Sequence, residues 1–238
     1  MPQPPEDGLR AILFDMDGVL LDTESTHTKA KKAAFQRHGL DVPDEWFARF
    51  RGQTDMAMMR HVADELGGGK VTAETLAKHK HEAYKELREG LQPVAGAKEF
   101  VGWARSRFAR LALATSGTPD DRAFALRRLG LEDAFDAVLD AASISEHKPH
   151  PEPYLEAARK VGAEASRCLV VEDSVQGVRS AKAAGCLVAA ITTSFRRDEL
   201  QAAGADVVVD RYDELRAWLE RPQQHAAPHE PRRARADA

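Results

Sequence analysis

Ala11-Ile12-Leu13-Phe14-Asp15-Met16-Asp17-Gly18-Val19-Leu20 joins an apolar run to two carboxylates that flank a single residue. Ala11 to Phe14 reads as a buried strand. The two Asp then stand where it ends, at the carboxyl edge of a sheet, where open α/β folds bind ligands. In the extended chain beyond, residues i and i+2 project to the same side, and Gly18 supplies the freedom for a sharp exit. Two carboxylates this close repel unless a cation lies between them or one holds a proton. Mg²⁺ suits such a place, because it takes oxygen ligands shared between carboxylates and a phosphate. An Asp-rich turn with helix-capping duties is the other reading of the same residues.

Three further strand ends follow in order. Leu111-Ala112-Leu113-Ala114 leads into Thr115-Ser116-Gly117, where small hydroxyls and adjacent N–H groups can bind phosphate oxygens just ahead of a helix. Thr118 is placed to cap that helix and Pro119 to be its first residue; the alternative is a plain turn. Lys148-Pro149 lies in a His-Lys-Pro-His-Pro-Glu segment whose prolines stiffen the approach to a helix. A lysine there can neutralise both phosphate and carboxylate, or simply be solvated. Leu169-Val170-Val171 ends in Glu172-Asp173-Ser174. Ser174 fits an N-cap, and Glu172 and Asp173 either complete a metal site or serve only in capping.

Asp15-x-Asp17-Gly18, Thr115-Ser116, Lys148-Pro149 and Glu172-Asp173-Ser174 together resemble the four ordered motifs of the haloacid dehalogenase superfamily, over Arg10 to Leu219. That superfamily consists mostly of phosphotransferases. Its dehalogenases lack the second Asp of the first motif, so with Asp17 present dehalogenation is not expected. The resemblance implies that Asp15 is the nucleophile and Asp17 the general acid–base. It also implies Mg²⁺ held by Asp15, the Asp17 backbone carbonyl, Glu172 and Asp173, and phosphate oxygens met by Thr115, Ser116, Gly117 and Lys148. These roles fit the chemistry, since phosphoryl transfer is mostly positioning and electrostatics.

Composition agrees with a compact enzyme. The 238 residues carry 34 Lys plus Arg against 38 Asp plus Glu, so no basic excess argues for nucleic acid. Met1 to Asp7 lacks the apolar core of a signal peptide, and the longest apolar run, Cys186 to Ile191, is too short to span a bilayer. Cys168 and Cys186 form no close metal or redox motif and read as reduced and buried, in a cytoplasmic protein. None of the nine His falls in a zinc pattern. The expected partner is a small phosphorylated metabolite, with no nucleic acid and no membrane, and the chain is expected to be a monomer or weak dimer.

Short apolar strands alternate with helices, the sign of an α/β fold with a doubly wound parallel sheet. The strands are Ala11–Phe14, Leu111–Ala114, Ala137–Leu139, Leu169–Val171, Leu187–Ile191 and Val207–Val209. Helices opened at Thr118, Pro151 and Ser174 close at Gly130, Gly162 and Gly185, where left-handed caps fall. Leu215, Trp218 and Leu219 mark a last amphipathic helix. Between Asp22 and Pro93 the alternation stops and helical periodicity takes over, with stripes at Ala30/Ala34/Phe35, Met58/Met59/Val62/Leu66 and Leu76/Ala83/Tyr84/Leu87. Thr72 is placed to cap the last of these helices. This insertion resembles the superfamily's helical cap. The chain therefore divides into a Rossmann-like core (1–21 and 94–221), an all-helical cap (22–93) and a disordered tail (222–238), with hinges at Asp22-Thr23 and Pro93-Val94-Ala95-Gly96.

The acceptor decides the reaction: water gives a phosphatase, a sugar-phosphate hydroxyl a phosphomutase. Asp22-Thr23-Glu24-Ser25-Thr26-His27 and Lys80 are similar to elements of β-phosphoglucomutases, but the first run also occurs in sugar phosphatases of the same subfamily. The mutase cap loop carries a phosphate-binding Arg shortly after a Gly. Here Arg51 precedes Gly52, and Asp55 stands at the Arg position, where a carboxylate would repel a second phosphate. The leading expectation is a Mg²⁺-dependent phosphatase acting on a sugar phosphate or phosphoglycolate-like metabolite. A β-phosphoglucomutase-type mutase comes second, and a non-catalytic phosphate or partner binder third. His27, Gly52 and Lys80 are the candidate cap contacts, against a reading of His27 and Lys80 as solvated helix residues.

Overall fold

The computed structural model describes residues 8–51 and 53–221, so Gly52 and the expected disordered tail lie outside the described residues. In chain order the elements are β1 (Ala11–Phe14), β2 (Leu21–Asp22), α1 (Glu24–Arg37), α2 (Asp44–Arg49), α3 (Asp55–Leu66), α4 (Ala73–Leu87), β3 (Gln92–Pro93), α5 (Ala97–Arg107), β4 (Arg110–Ala114), α6 (Pro119–Leu129), β5 (Ala137–Leu139), α7 (Glu152–Lys160), β6 (Cys168–Glu172), α8 (Val175–Ala183), β7 (Leu187–Ile191), α9 (Arg197–Ala202), β8 (Val207–Val209) and α10 (Tyr212–Leu219). Six strands form one sheet in the order β5-β4-β1-β6-β7-β8, every pair parallel.

Side-chain alternation builds the two faces of this sheet. Ile12 and Phe14 of β1 pack with α5, α6 and α10 through Phe100, Leu126 and Leu215. Ala11 and Leu13 face α7, α8 and α9 through Tyr154, Val178 and Leu200. All four β1 residues are fully buried, as a central parallel strand covered on both faces requires. The strand order reverses at β1. Its register pairs Phe14 with Leu113 on one side and Val171 on the other, which brings Asp15, the Thr115 loop and Glu172 to one level of the carboxyl edge.

Helices α1 to α4 form the insert, with a separate apolar core of Phe35, Met58, Met59, Val62, Val71, Ala73 and Leu76. Met58 and Met59 are buried in it, and Met58 also lines the cavity between insert and sheet edge. Leu66 and Leu87 do not join it: they are 37% and 39% exposed. Each is the last residue of its helix, where the packed stripe gives out. One element escaped the periodicity altogether. Leu21 and Asp22 pair antiparallel with Pro93 and Gln92, so that the two connections to the insert form a small ribbon. Arg88, just before that ribbon, donates to Asp120 (3.0 Å) and Asp121 (2.9 Å) in the first turn of α6, tying the insert to the core.

Candidate active site

At the end of β1 the Asp15 N–H donates to the Val171 carbonyl at 3.0 Å, extending the sheet register to the first carboxylate. The chain then turns tightly: the Leu20 N–H donates to the Met16 carbonyl at 2.8 Å, and Gly18 takes φ 70°. A Cβ at Gly18 would fall inside the Asp173 carboxylate, so this close approach admits only glycine. Gly177 plays the same part in α8, where a Cβ would overlap the Glu172 carboxylate.

Lys148 is the centre of the cluster. Its Nζ donates to Asp15 Oδ1 at 2.6 Å, Glu172 Oε1 at 2.9 Å and the Ala114 carbonyl at 3.1 Å, all three of its donors thus engaged. Burial lowers its pKa, but Asp15 and Glu172 more than offset this and hold it above the usual lysine value. Glu172 is saturated. Oε1 also accepts the Tyr154 hydroxyl (2.8 Å), and Oε2 accepts the N–H groups of Asp173 (2.9 Å) and Ser174 (3.0 Å) and the Ser174 hydroxyl (3.0 Å). Burial raises the Glu172 pKa, yet Lys148 and these donors carry it below the ordinary value.

The other two carboxylates behave oppositely. Burial, opposed by Lys148 but reinforced by Glu172 and Asp17, lifts Asp15 to about 7. Burial and the charges of Glu172 and Asp15 push Asp173 well above its usual value, although Ser194 donates its hydroxyl to Asp173 Oδ2. One ammonium against three buried carboxylates leaves an excess of negative charge. Oxygen atoms of Asp15, Glu172 and Asp173 all lie within 4.8 Å of one another. An all-oxygen, doubly under-compensated donor set of this kind fits a hard divalent cation. Because Glu172 is saturated by protein donors, Asp15 and Asp173 are the members with free lone pairs.

Asp17 sits beneath the insert. Its Oδ1 takes no direct hydrogen bond and lies 3.7 Å from His27 Nε2, an electrostatic contact. Burial raises its pKa, but His27, Thr23 and Lys80 together hold it below the usual range. The His27 ring is fixed twice: it stacks on Tyr84 at 4.4 Å, and Lys80 Nζ stands 2.8 Å from Nδ1. An ammonium can only donate, so Nδ1 accepts and the neutral ring carries its proton on Nε2, facing Asp17.

In the loop after β4, Thr115 is buried and its Oγ1 accepts from the Gly117 N–H at 2.9 Å, while Thr118 caps α6 through the Asp121 N–H at 3.2 Å. Ser116 faces a cavity of about 550 Å³ between insert and sheet edge, whose lining also includes Asp15, Asp17, His27, Lys148, Glu172 and Asp173.

A profile of haloacid dehalogenase-like hydrolases matches residues 12–191, from β1 through the insert to β7. The chain belongs to the haloacid dehalogenase-like hydrolases. Within them it falls among the β-phosphoglucomutase- and CbbY-like proteins with a helical cap. This hydrolase is 33% identical over 178 residues to the fructose-1-phosphate phosphatase YqaB of Escherichia coli (strain K12), a match covering 73% of this chain and 92% of that protein. It is 32% identical over 178 residues to the phosphorylated carbohydrates phosphatase of Thermotoga maritima, covering 74% and 82%. The crystal structure of CbbY from Rhodobacter sphaeroides in complex with phosphate has a TM-score of 0.77 at 26% identity, covering 90% of this chain and all of that one.

The hydrolase gathers most of the residues singled out in the sequence. Asp15, Asp17, Ser116, Lys148, Glu172, Asp173 and His27 share the cavity, whereas Thr115, Gly117 and Lys80 stand behind its lining and hold residues that form it. Asp55 is not a bare carboxylate: Lys31 and Lys80 both pair with it. The sequence reading passed over Thr193 and Ser194. The Thr193 hydroxyl donates to the Gly18 carbonyl at 2.5 Å, and Ser194 holds Asp173. Their signal was present, since both follow an apolar strand directly, as Thr115 and Ser116 do. Among the described residues no helix is long and apolar enough to cross a membrane.

Proposed function

We propose that this hydrolase is a Mg²⁺-dependent phosphatase that cleaves a small phosphorylated metabolite, a sugar phosphate above all, through an aspartyl-phosphate on Asp15. The observation that carries the reading is the Lys148-bridged carboxylate cluster, which pairs a nucleophile with too little positive charge of its own. Asp15 and Asp173 would hold the cation with the Asp17 backbone carbonyl, and Glu172, its lone pairs already taken, would act through Lys148. Bound there, Mg²⁺ supplies the charge that keeps Asp15 ionised and offsets its repulsion from a phosphate dianion.

The chain's own groups account for the remaining steps. Asp15 attacks phosphorus in line as the bond to the leaving oxygen breaks, and that oxygen takes its electron pair and a proton from Asp17. Asp17 is ionised in the free site; an approaching phosphate dianion raises its pKa and so gives it the proton it later delivers. Ser116 and the N–H groups of its loop meet the equatorial oxygens, and the Lys148 ammonium beside Asp15 offsets their charge. Asp17 then removes a proton from the incoming water, which attacks phosphorus and restores Asp15. The cap, read as residues 22–93, excludes other water during the cycle.

The phosphatases of Escherichia coli and Thermotoga maritima support hydrolysis of phosphorylated sugars, and a cytoplasmic setting goes with that substrate. The His27–Lys80 pair favours the mutase as a second reading. Both are tested by supplying β-glucose 1-phosphate with a trace of glucose 1,6-bisphosphate, beside a panel of sugar phosphates, and following glucose 6-phosphate and inorganic phosphate. Phosphate release that stops in EDTA supports the phosphatase. Glucose 6-phosphate appearing much faster than phosphate establishes the mutase instead.

A further inference from the structure

Asp55 opens α3 on the cap side of the cavity, and two lysines take one of its oxygens each. Lys31 Nζ, from α1, lies 2.9 Å from Oδ1, and Lys80 Nζ, from α4, lies 2.8 Å from Oδ2. Lys80 also holds His27 beside Asp17, but phosphoryl transfer at Asp15 makes no use of Asp55 or Lys31. Its exposure is ordered: the Asp55 side chain is 40% exposed, Lys31 20% and Lys80 11%. The member that offers most surface is therefore the carboxylate, and it lines the cavity.

An ionised carboxylate has about four lone-pair sites and no donor. The lysines occupy one site on each oxygen and fix the plane of the group, which leaves two parallel acceptors open. Burial raises the Asp55 pKa, but Lys80 and Lys31 carry it far below the usual value, so it stays an acceptor at any working pH. Two fixed acceptors on one carbon match two hydroxyls on adjacent carbons, and they oppose a phosphate or carboxylate, which brings only negative charge and acceptors. To grip such an anion, the lysines would have to leave Asp55 and expose its charge beside it. Phe47, Phe50 and Phe195 also line the cavity and give it apolar wall against which the C–H groups of a polyol can pack. At 550 Å³ the space far exceeds a two-carbon acid.

We propose that Asp55, pinned by Lys31 and Lys80, determines specificity by accepting hydrogen bonds from a vicinal pair of hydroxyls at the end of the substrate remote from its phosphate. The chain thereby selects a polyhydroxylated monophosphate over a bisphosphate or a phosphorylated carboxylic acid. This inference rests on the phosphatase reading above and narrows its substrate.

The test follows phosphate release by the full chain with Mg²⁺ from the 6-phosphates of sorbitol, mannitol and galactitol, from n-hexyl phosphate, from the hexitol 1,6-bisphosphates and from p-nitrophenyl phosphate. The best hexitol phosphate is expected to exceed both n-hexyl phosphate and its own bisphosphate in kcat/KM by about tenfold or more, the scale on which a hydrogen-bonding site rejects an analogue that cannot bond. In Asp55→Asn the advantage over n-hexyl phosphate should shrink to about threefold or less, whereas a mere difference in leaving-group acidity would persist. Should that variant fail to fold, the wild-type ratios alone decide. Equal turnover of the hexyl and hexitol esters, a preference for the bisphosphate, or an undiminished ratio in Asp55→Asn overturns the inference. No release even from p-nitrophenyl phosphate overturns the phosphatase reading itself.

Discussion

Lys148 and Asp15 stand 133 positions apart in sequence, yet Lys148 Nζ lies 2.6 Å from Asp15 Oδ1 with both side chains almost wholly buried. The same ammonium holds Glu172, so one residue from the loop before α7 joins the ends of β1 and β6. A buried pair broken on one side leaves an uncompensated charge, which costs on the order of 3–5 kcal/mol.

Lys148→Met is expected to lower the thermal midpoint in EDTA and to regain part of the loss when Mg²⁺ is added, because the cation replaces some of the missing charge. Turnover should fall by about 10²–10³, the scale for losing one group that stabilises transition-state charge. Scanning fluorimetry with and without Mg²⁺, beside a phosphate-release assay, checks both. A variant as stable and as active as the wild type would contradict the assignment.

Ser194, in the loop after β7, supports Asp173 by donating its hydroxyl to Oδ2, beside a long contact from the Thr193 hydroxyl. Outer-sphere partners of this kind typically change metal affinity by about 10–100-fold. Ser194→Ala should therefore raise the Mg²⁺ concentration needed for half-maximal activity by about tenfold, with little change in the thermal midpoint in EDTA. Titration calorimetry with Mg²⁺ gives an independent reading. An unaltered Mg²⁺ dependence would show that Asp173 needs no such support.

Asp55 gives a pH dependence of definite sign. Its folded pKa lies below the ordinary value of 3.8, so its pairing with Lys31 and Lys80 stabilises the fold above 3.8 and that contribution fades as pH falls below it. The thermal midpoint of the wild type should exceed that of Asp55→Asn near neutrality, and the gap should narrow as the pH is taken down through the acid range. A gap that widens on acidification would reverse the sign and remove the pairing as its cause.

How much of this was legible in the sequence follows from what each signal physically encodes. Ala11–Phe14 and Leu187–Ile191 are buried on both faces, so their apolar runs mark them residue for residue. Thr118, Ser174 and Thr72 accept from backbone N–H groups three positions on, a local bond that local sequence announces. Leu21–Asp22 with Gln92–Pro93 has two residues to a side, too few for any period to show. Lys31 and the stacking role of Tyr84 are hidden for another reason. Each acquires its role only through a partner on a different element, Asp55 and His27 respectively. Asp55 itself was noticed for its charge, but the two lysines that turn it from a repulsive group into a fixed acceptor come from helices on either side.

The central claim is that Asp15 carries the phosphoryl group. It is tested most directly with Asp17→Asn and p-nitrophenyl phosphate, whose phenolate departs without a proton. The first step then proceeds while the attack of water, which needs Asp17 as base, is slowed. The account predicts a burst of p-nitrophenolate close to the enzyme concentration and, after acid quench and digestion, a phosphoryl group on the Asp15 side chain of the peptide that spans β1. A burst with the phosphoryl group on any other residue, or turnover with none attached to the protein, would contradict it.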